Sequence, residues 1–178
     1  MTNVTRLSYY LFMIILDAST IILLAKIGIV ETFVSNFPGQ VLIPEKVKEE
    51  VCIKGMEETP LIERLIEERK IYVAKVRKTM VMRQLMDDFS IDAGEAEALT
   101  LAVNKKDAMI ATDDRNAIRA SKLLKIGFTT AIAILVRTFE KGLIDKEEAV
   151  IKLQKLESIA RYSRVIIEDA QKNIEGSD

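Results

Sequence analysis

Short apolar runs alternate along this chain with longer stretches in which apolar residues recur every three or four positions. That alternation predicts a mainly parallel sheet covered by helices on both faces. The runs at 13–16, 40–43, 71–76, 108–112 and 126–128 are the strand candidates. Helical patterns begin at Pro44, near Pro60, near Thr79, at Asp92 and around Arg115, and another runs from Thr129 to a stop at Gly142. Asp145, with Glu148 three residues later, has capping-box spacing and opens a further helix. Ile159, Tyr162, Val165 and Ile166 have the spacing of one face of a last helix. The expected class is therefore α/β: three layers, α/β/α, around a mainly parallel sheet of about five strands, with seven or eight helices and an extra C-terminal one.

The opening of the chain invites a different reading. From Ser8 to Ala25 the only charged residue is Asp17, as in a signal peptide or membrane span. An aspartate in mid-span would cost roughly 2.5–3.5 kcal/mol. A buried strand at 13–16 and a helix over 19–28, with Asp17 at their junction, account for the run better, and no membrane is expected. Residues 1–12 read as an N-terminal extension or a misassigned start, with Met13 an alternative first residue. One domain is expected over 13–155, and 156–178 as a helical extension packed on it, frayed only at Gly176-Ser-Asp.

Composition narrows the chemistry. The 178 residues include 26 Lys+Arg and 27 Asp+Glu, a formal charge of -1, so no global basic field marks a dedicated nucleic-acid binder. The single cysteine, Cys52, excludes an intrachain disulfide and fits a reducing compartment, the cytoplasm being the simplest. The absence of histidine removes histidine-based triads, histidine general bases and most catalytic zinc sites. Neither GxxxxGK[ST] nor GxGxxG occurs, so no phosphate-cradling nucleotide loop is visible. Carboxylates must carry any acid–base or metal chemistry.

Mapped onto the elements, the acids fall in a pattern. Asp17 lies just past the first strand candidate, and Asp113 and Asp114 just past the fourth. In an open α/β sheet the binding crevice lies outside the carboxyl ends of the strands, where strand order reverses. Glu49 and Glu50 in the Pro44 helix, and Glu95 and Glu97 at the start of the Asp92 helix, can be aimed at the same place. Like charges at close range raise one another's pKa, so such a cluster calls for a cation. Mg²⁺ or Mn²⁺ suits oxygen donors and can activate water for phosphodiester hydrolysis. Structural roles compete at each position: Asp17 as a helix N-cap, Glu95 as the partner of Asp92 in a capping pair, Asp113 and Asp114 as N-caps, and Glu49 and Glu50 as a solvated helix face. Arg115, Arg119 and Lys122, or Lys75, Arg77 and Lys78, read either as guides for a phosphate backbone or as scattered surface charge.

Four segments in order carry a resemblance: Ile14-Ile-Leu-Asp17-Ala-Ser19-Thr20, then Ile43-Pro-Glu-Lys-Val47-Lys-Glu-Glu50-Val51, then Asp92-Ala-Gly94-Glu95-Ala-Glu97-Ala-Leu-Thr-Leu-Ala102, and Ala111-Thr112-Asp113-Asp114-Arg115. Together they resemble the PIN-domain family, which includes VapC-like toxin ribonucleases. The resemblance implies that Asp17, Glu50, Glu95 and Asp114 are the catalytic acids and hold Mg²⁺ or Mn²⁺. Glu97 stands as an alternative or second ligand, Asp113 stands beside Asp114, and Ser19 and Thr112 support the site. It implies an RNA substrate, an antitoxin protein as a candidate partner, and a homodimer. The chain departs from the family pattern in its aspartate pair and in glutamate at the third acidic position. Two rivals stay open: a catalytically silent binding module of the same fold, and a structure-specific DNA nuclease.

Overall fold

The structure, a computed structural model, describes residues 12–105 and 107–176. The N-terminal stretch 1–11 and the last two residues, expected to be an extension and a frayed end, lie outside the described residues. Five strands, β1 (Met13–Leu16), β2 (Gln40–Pro44), β3 (Tyr72–Ala74), β4 (Ala108–Ala111) and β5 (Gly127–Thr129), form one parallel sheet in the order β3-β2-β1-β4-β5. Every pairing in it is parallel. The chain lays down β1, β2 and β3 in one direction, then returns to the other side of β1 for β4 and β5. Strand order thus reverses between β1 and β4, the position at which an α/β sheet opens a crevice.

Ten helices are found among the described residues: α1 (Ala18–Lys26), α2 (Val30–Asn36), α3 (Glu45–Val51), α4 (Thr59–Glu67), α5 (Met80–Phe89), α6 (Ala93–Val103), α7 (Arg115–Leu123), α8 (Ala131–Glu140), α9 (Lys146–Ile159) and α10 (Arg164–Glu175). The period-2 geometry of β1 sorts its side chains: Ile14 and Leu16 enter one core, Ile15 the other. The first core gathers Ile21 and Leu24 of α1, Leu135 of α8, Leu156 of α9 and Ile174 of α10. The second holds Leu85 of α5, Leu99 of α6 and Ala117 of α7. Both faces of the sheet are covered, which is why its strands read as unbroken apolar runs. The three-layer α/β/α expectation is met.

Three local expectations need correction. Seven residues, 30–36, form a helix that apolar periodicity did not announce; it is too short for a pattern and has no side-chain cap. The run at 71–76 yields a strand only over Tyr72–Ala74, because Ile71 turns its N–H back to the Leu65 carbonyl. The face assigned to Ile159, Tyr162, Val165 and Ile166 is not one face, because the chain leaves α9 at extended Ala160 and restarts at Arg164. Val165 and Ile166 are 73% and 45% exposed, and α10 buries Ile167, Ala170 and Ile174 instead. Gly142 does end α8, in the left-handed conformation (φ 67°) that glycine adopts without strain.

The apolar opening divides as its aspartate suggested, with Ile14, Ile15 and Leu16 fully buried in the sheet. Among the described residues no single helix is long and apolar enough to cross a membrane; α1 and α2 pass such a test only as a pair bent by 112°.

Candidate active site

The carboxyl ends of β1 and β4 deliver Asp17 and the Asp113-Asp114 pair side by side. Leu16 pairs with Ala111, and the Asp17 amide donates to the Ala111 carbonyl at 3.0 Å, fixing the two strand ends in register. Asp17 is 1% exposed and caps α1, its Oδ1 accepting from the Thr20 amide at 2.7 Å. The Ser19 hydroxyl lies 3.1 and 3.0 Å from the two Asp17 oxygens and donates to them. Burial nevertheless raises the Asp17 pKa from 3.8 to about 6, opposed by hydrogen bonds from Thr112 and Thr20 and reinforced by the charge of Asp113.

The paired aspartates do different work. Asp114 caps α7: its Oδ1 accepts from the amides of Asn116 (2.7 Å) and Ala117 (2.9 Å), while its own amide donates to the Thr112 hydroxyl at 3.2 Å. Oδ2 of Asp114 accepts no hydrogen bond from the described residues. Asp113 turns the other way, toward the start of α8. It accepts from the Ala131 amide at 3.0 and 3.2 Å, from the Thr20 hydroxyl at 2.7 Å, and from the phenol of Tyr162. Both of its oxygens are occupied by donors.

On the opposite bank stand three glutamates. Glu95 completes a capping box with Asp92: one of its oxygens accepts from the Asp92 amide at 3.0 Å, and the Glu95 amide donates back to Asp92 at 2.8 Å. Its pKa rises from 4.5 to about 7, first through burial and then through the charges of Asp92, Asp114 and Asp17, against the opposing Asp92 amide. Capping uses one oxygen of Glu95 and leaves the other without a hydrogen bond from the described residues. Glu50 lies in the last turn of α3 and its carboxylate rests on Gly94, where a Cβ would stand 3.0 and 3.1 Å from the two oxygens. A bare backbone at this point of α6 is what lets Glu50 approach. No described residue donates a hydrogen bond to Glu50, and its pKa is raised by burial and by Asp92, Asp17 and Glu97, with Lys46 opposing. Glu97 is 5% exposed and accepts from the Lys46 amide at 3.2 Å, tying α6 to the start of α3.

The structure thus brings Asp17, Ser19, Thr112, Asp113, Asp114 and Glu95 to the strand switch, with Glu50 and Glu97 on the adjoining α3–α6 contact. Three further contributors had no site role assigned from sequence. Thr20 holds Asp17 by its amide and Asp113 by its hydroxyl; it stood inside a quoted motif, but only the fold shows the second partner. Gly94 was also inside a motif, whereas Tyr162 arrives from the α9–α10 connection with no local signal at all. Beside the aspartates opens a groove of about 850 Å³, walled by Ile22, Ile118, Ile132 and Ile166 with Arg115 and Arg161 among its lining residues. Of the other cations weighed, Arg119 sits over the Phe89 ring and Lys122 over Phe128, at 5.8 and 5.6 Å.

The donor set suits a hard divalent cation. Every available group is a carboxylate oxygen, and Glu50, one oxygen of Glu95 and Oδ2 of Asp114 are unshared, in a region where burial and mutual repulsion disfavour negative charge. Among the described residues no three acids stand close enough to hold an ion by themselves. Mg²⁺ binds through one or two carboxylates and keeps several waters, so such a cage is not required. A family model described as a PIN domain matches residues 13–175. No curated protein matches the chain.

Proposed function

Since the chain belongs to the PIN-domain family, we propose that it is a divalent-metal-dependent endoribonuclease that hydrolyses RNA phosphodiesters at the β1–β4 switch. In this reading one or two of Asp17, Glu95 and Asp114 would hold Mg²⁺ or Mn²⁺ together with retained waters, with Glu50 completing the negative field. The observation that carries it is the delivery of Asp17, Asp113 and Asp114 to adjoining ends of β1 and β4, where burial and, after it, neighbouring carboxylates raise the pKa values of Asp17 and Glu95. Structural caps have no need of such a field, and a cation relieves it. A bound divalent ion supplies an acidified water and neutralises charge that develops on phosphate oxygens. The chain's own contribution is to hold Asp17 through Thr20 and Ser19, to orient Asp114 on the α7 amides, and to present Arg115 beside it toward a phosphate backbone.

The same reading makes the chain a candidate toxin of a toxin–antitoxin pair, with an antitoxin protein as partner. Induced expression then arrests growth for the wild type and not for Asp17→Asn. A second reading, a catalytically silent module of this fold, is favoured by the absence of three converging acids among the described residues. Calorimetric titration with Mn²⁺, run with cleavage of single-stranded RNA, duplex DNA and flap DNA, separates them. Expected is Mn²⁺ binding with RNA cleavage in the wild type, both lost in a folded Asp17→Asn. RNA binding without Mn²⁺-dependent cleavage selects the silent module, and preferential flap cleavage selects a DNA nuclease.

A further inference from the structure

The four residues between α9 and α10 line the groove beside the paired aspartates, and Tyr162 hydrogen-bonds to one of them. Its hydroxyl donates to Oδ1 of Asp113 and accepts from the Ile132 amide at 3.3 Å, so it is anchored at both ends. Asp113 in turn accepts the Thr20 hydroxyl, and the Thr20 amide donates to Asp17. An unbroken chain of hydrogen bonds therefore runs Tyr162, Asp113, Thr20, Asp17. It joins the C-terminal helices to the carboxyl ends of β4 and β1.

Each link is short of alternatives. Thr20 is fully buried, so its hydroxyl has no water to turn to. Both oxygens of Asp113 are occupied by the Ala131 amide, Thr20 and Tyr162, which leaves this carboxylate as a holder of other groups. Its neighbour Asp114 shares its backbone and faces the crevice with one free oxygen, so the setting of Asp113 sets Asp114. Burial, followed by the charge of Asp113 and the bond to it, raises the Tyr162 pKa, so the phenol stays protonated and remains a donor.

We propose that Tyr162 is a positioning residue of the acidic site: acting through Asp113, it fixes the spacing of the β1 and β4 carboxylates and makes the α9–α10 connection part of the site's framework. Partners one step removed from a metal typically change its affinity or the activity by about 10–100-fold when removed. The affinity part of this inference rests on the metal-nuclease reading; the framework part does not.

The test is Tyr162→Phe in the full chain, which keeps the ring and removes the hydroxyl. Three measurements accompany it: Tm, Mn²⁺ affinity, and hydrogen exchange at the Thr20 and Ala131 amides without metal. Expected are a Tm within about 4 °C of wild type, Mn²⁺ bound about tenfold more weakly, and exchange at both amides about tenfold faster. On an Asp113→Asn background the same substitution is expected to add nothing to exchange at the Thr20 amide, which Tyr162 reaches only through Asp113. Unchanged exchange in Tyr162→Phe overturns the inference whatever the metal does, and so does a full, additive effect on the Asp113→Asn background. A wild type that binds no Mn²⁺ removes the nuclease reading, while the exchange measurement still decides the framework.

Discussion

The two banks of the crevice share the carboxylate group and differ in almost everything else. On the strand bank, Asp17, Asp113 and Asp114 are each held by amides and hydroxyls of helices α1, α7 and α8. On the helix bank, Glu50 rests against a bare glycine without a donor, and Glu95 gives one oxygen to a cap. Short aspartates at helix starts find N–H groups aligned to receive them. Longer glutamates reach out of their helices into the negative field of the other bank. One bank is arranged in advance by the backbone; the other leaves Glu50 and one oxygen of Glu95 without a donor among the described residues.

Several changes test that contrast, and the largest effect is expected where one residue serves both strands. Thr20→Val keeps the shape and the amide but removes the hydroxyl from Asp113. A hydrogen bond to a charged group contributes roughly 1.5–3 kcal/mol, and chemical denaturation should show a loss of that order. Mn²⁺ affinity should fall with it. Full stability in Thr20→Val would mean that the strand bank is not held as described.

The next effect lies in pH. Folding raises the pKa of Asp17 from 3.8 to about 6 and of Glu95 from 4.5 to about 7, so the folded chain retains protons that the unfolded chain releases. Their contribution to stability is fully present below the ordinary values and is lost as pH rises through about 6 and about 7. Asp17→Asn keeps an N-cap and removes that loss. It should stabilise the metal-free chain at neutral pH by something on the order of 2 kcal/mol, in a thermal scan from pH 4 to 8. Added Mn²⁺ should flatten the wild-type curve at its upper end.

Gly94→Ala acts on the helix bank alone. The added methyl meets the Glu50 oxygens at 3.0 and 3.1 Å, and a flexible carboxylate can yield by a few tenths of an ångström. Tm should change by less than the equivalent of about 1 kcal/mol, while Mn²⁺ affinity falls several-fold. The smallest effect is expected at Glu49, 67% exposed and, among the described residues, paired only with Lys46 across 3.0 Å of open surface. Glu49→Gln should alter stability by no more than about 0.5 kcal/mol and leave cleavage unchanged, which separates the role proposed for Glu50 from that of its neighbour.

Much of this was legible in the chain itself. Apolar runs placed the strands, most clearly β1 and β2, which are buried on both faces, and period-3.6 recurrence placed the helices. The acids stood out because they interrupt apolar runs or open helices, as Asp17 and Asp114 do. A helix of seven residues such as α2 escaped, being shorter than two turns of pattern. So did the break after Ile159, since the spacing of Ile159, Tyr162 and Val165 fits a helix whether or not the chain continues through it.

The sequence by itself determined which residues can carry charge chemistry, and the layers that would hold them, because those follow from side-chain type and local period. Only the tertiary structure decided how the acids divide their labour. Asp113 and Asp114 are adjacent and chemically identical, yet one turns to α8 and Tyr162 while the other caps α7. The partners that make the difference lie up to 93 residues away in the chain, as Thr20 does from Asp113. Hydrogen bonds across such separations exist only after the sheet has closed, so no local pattern records them.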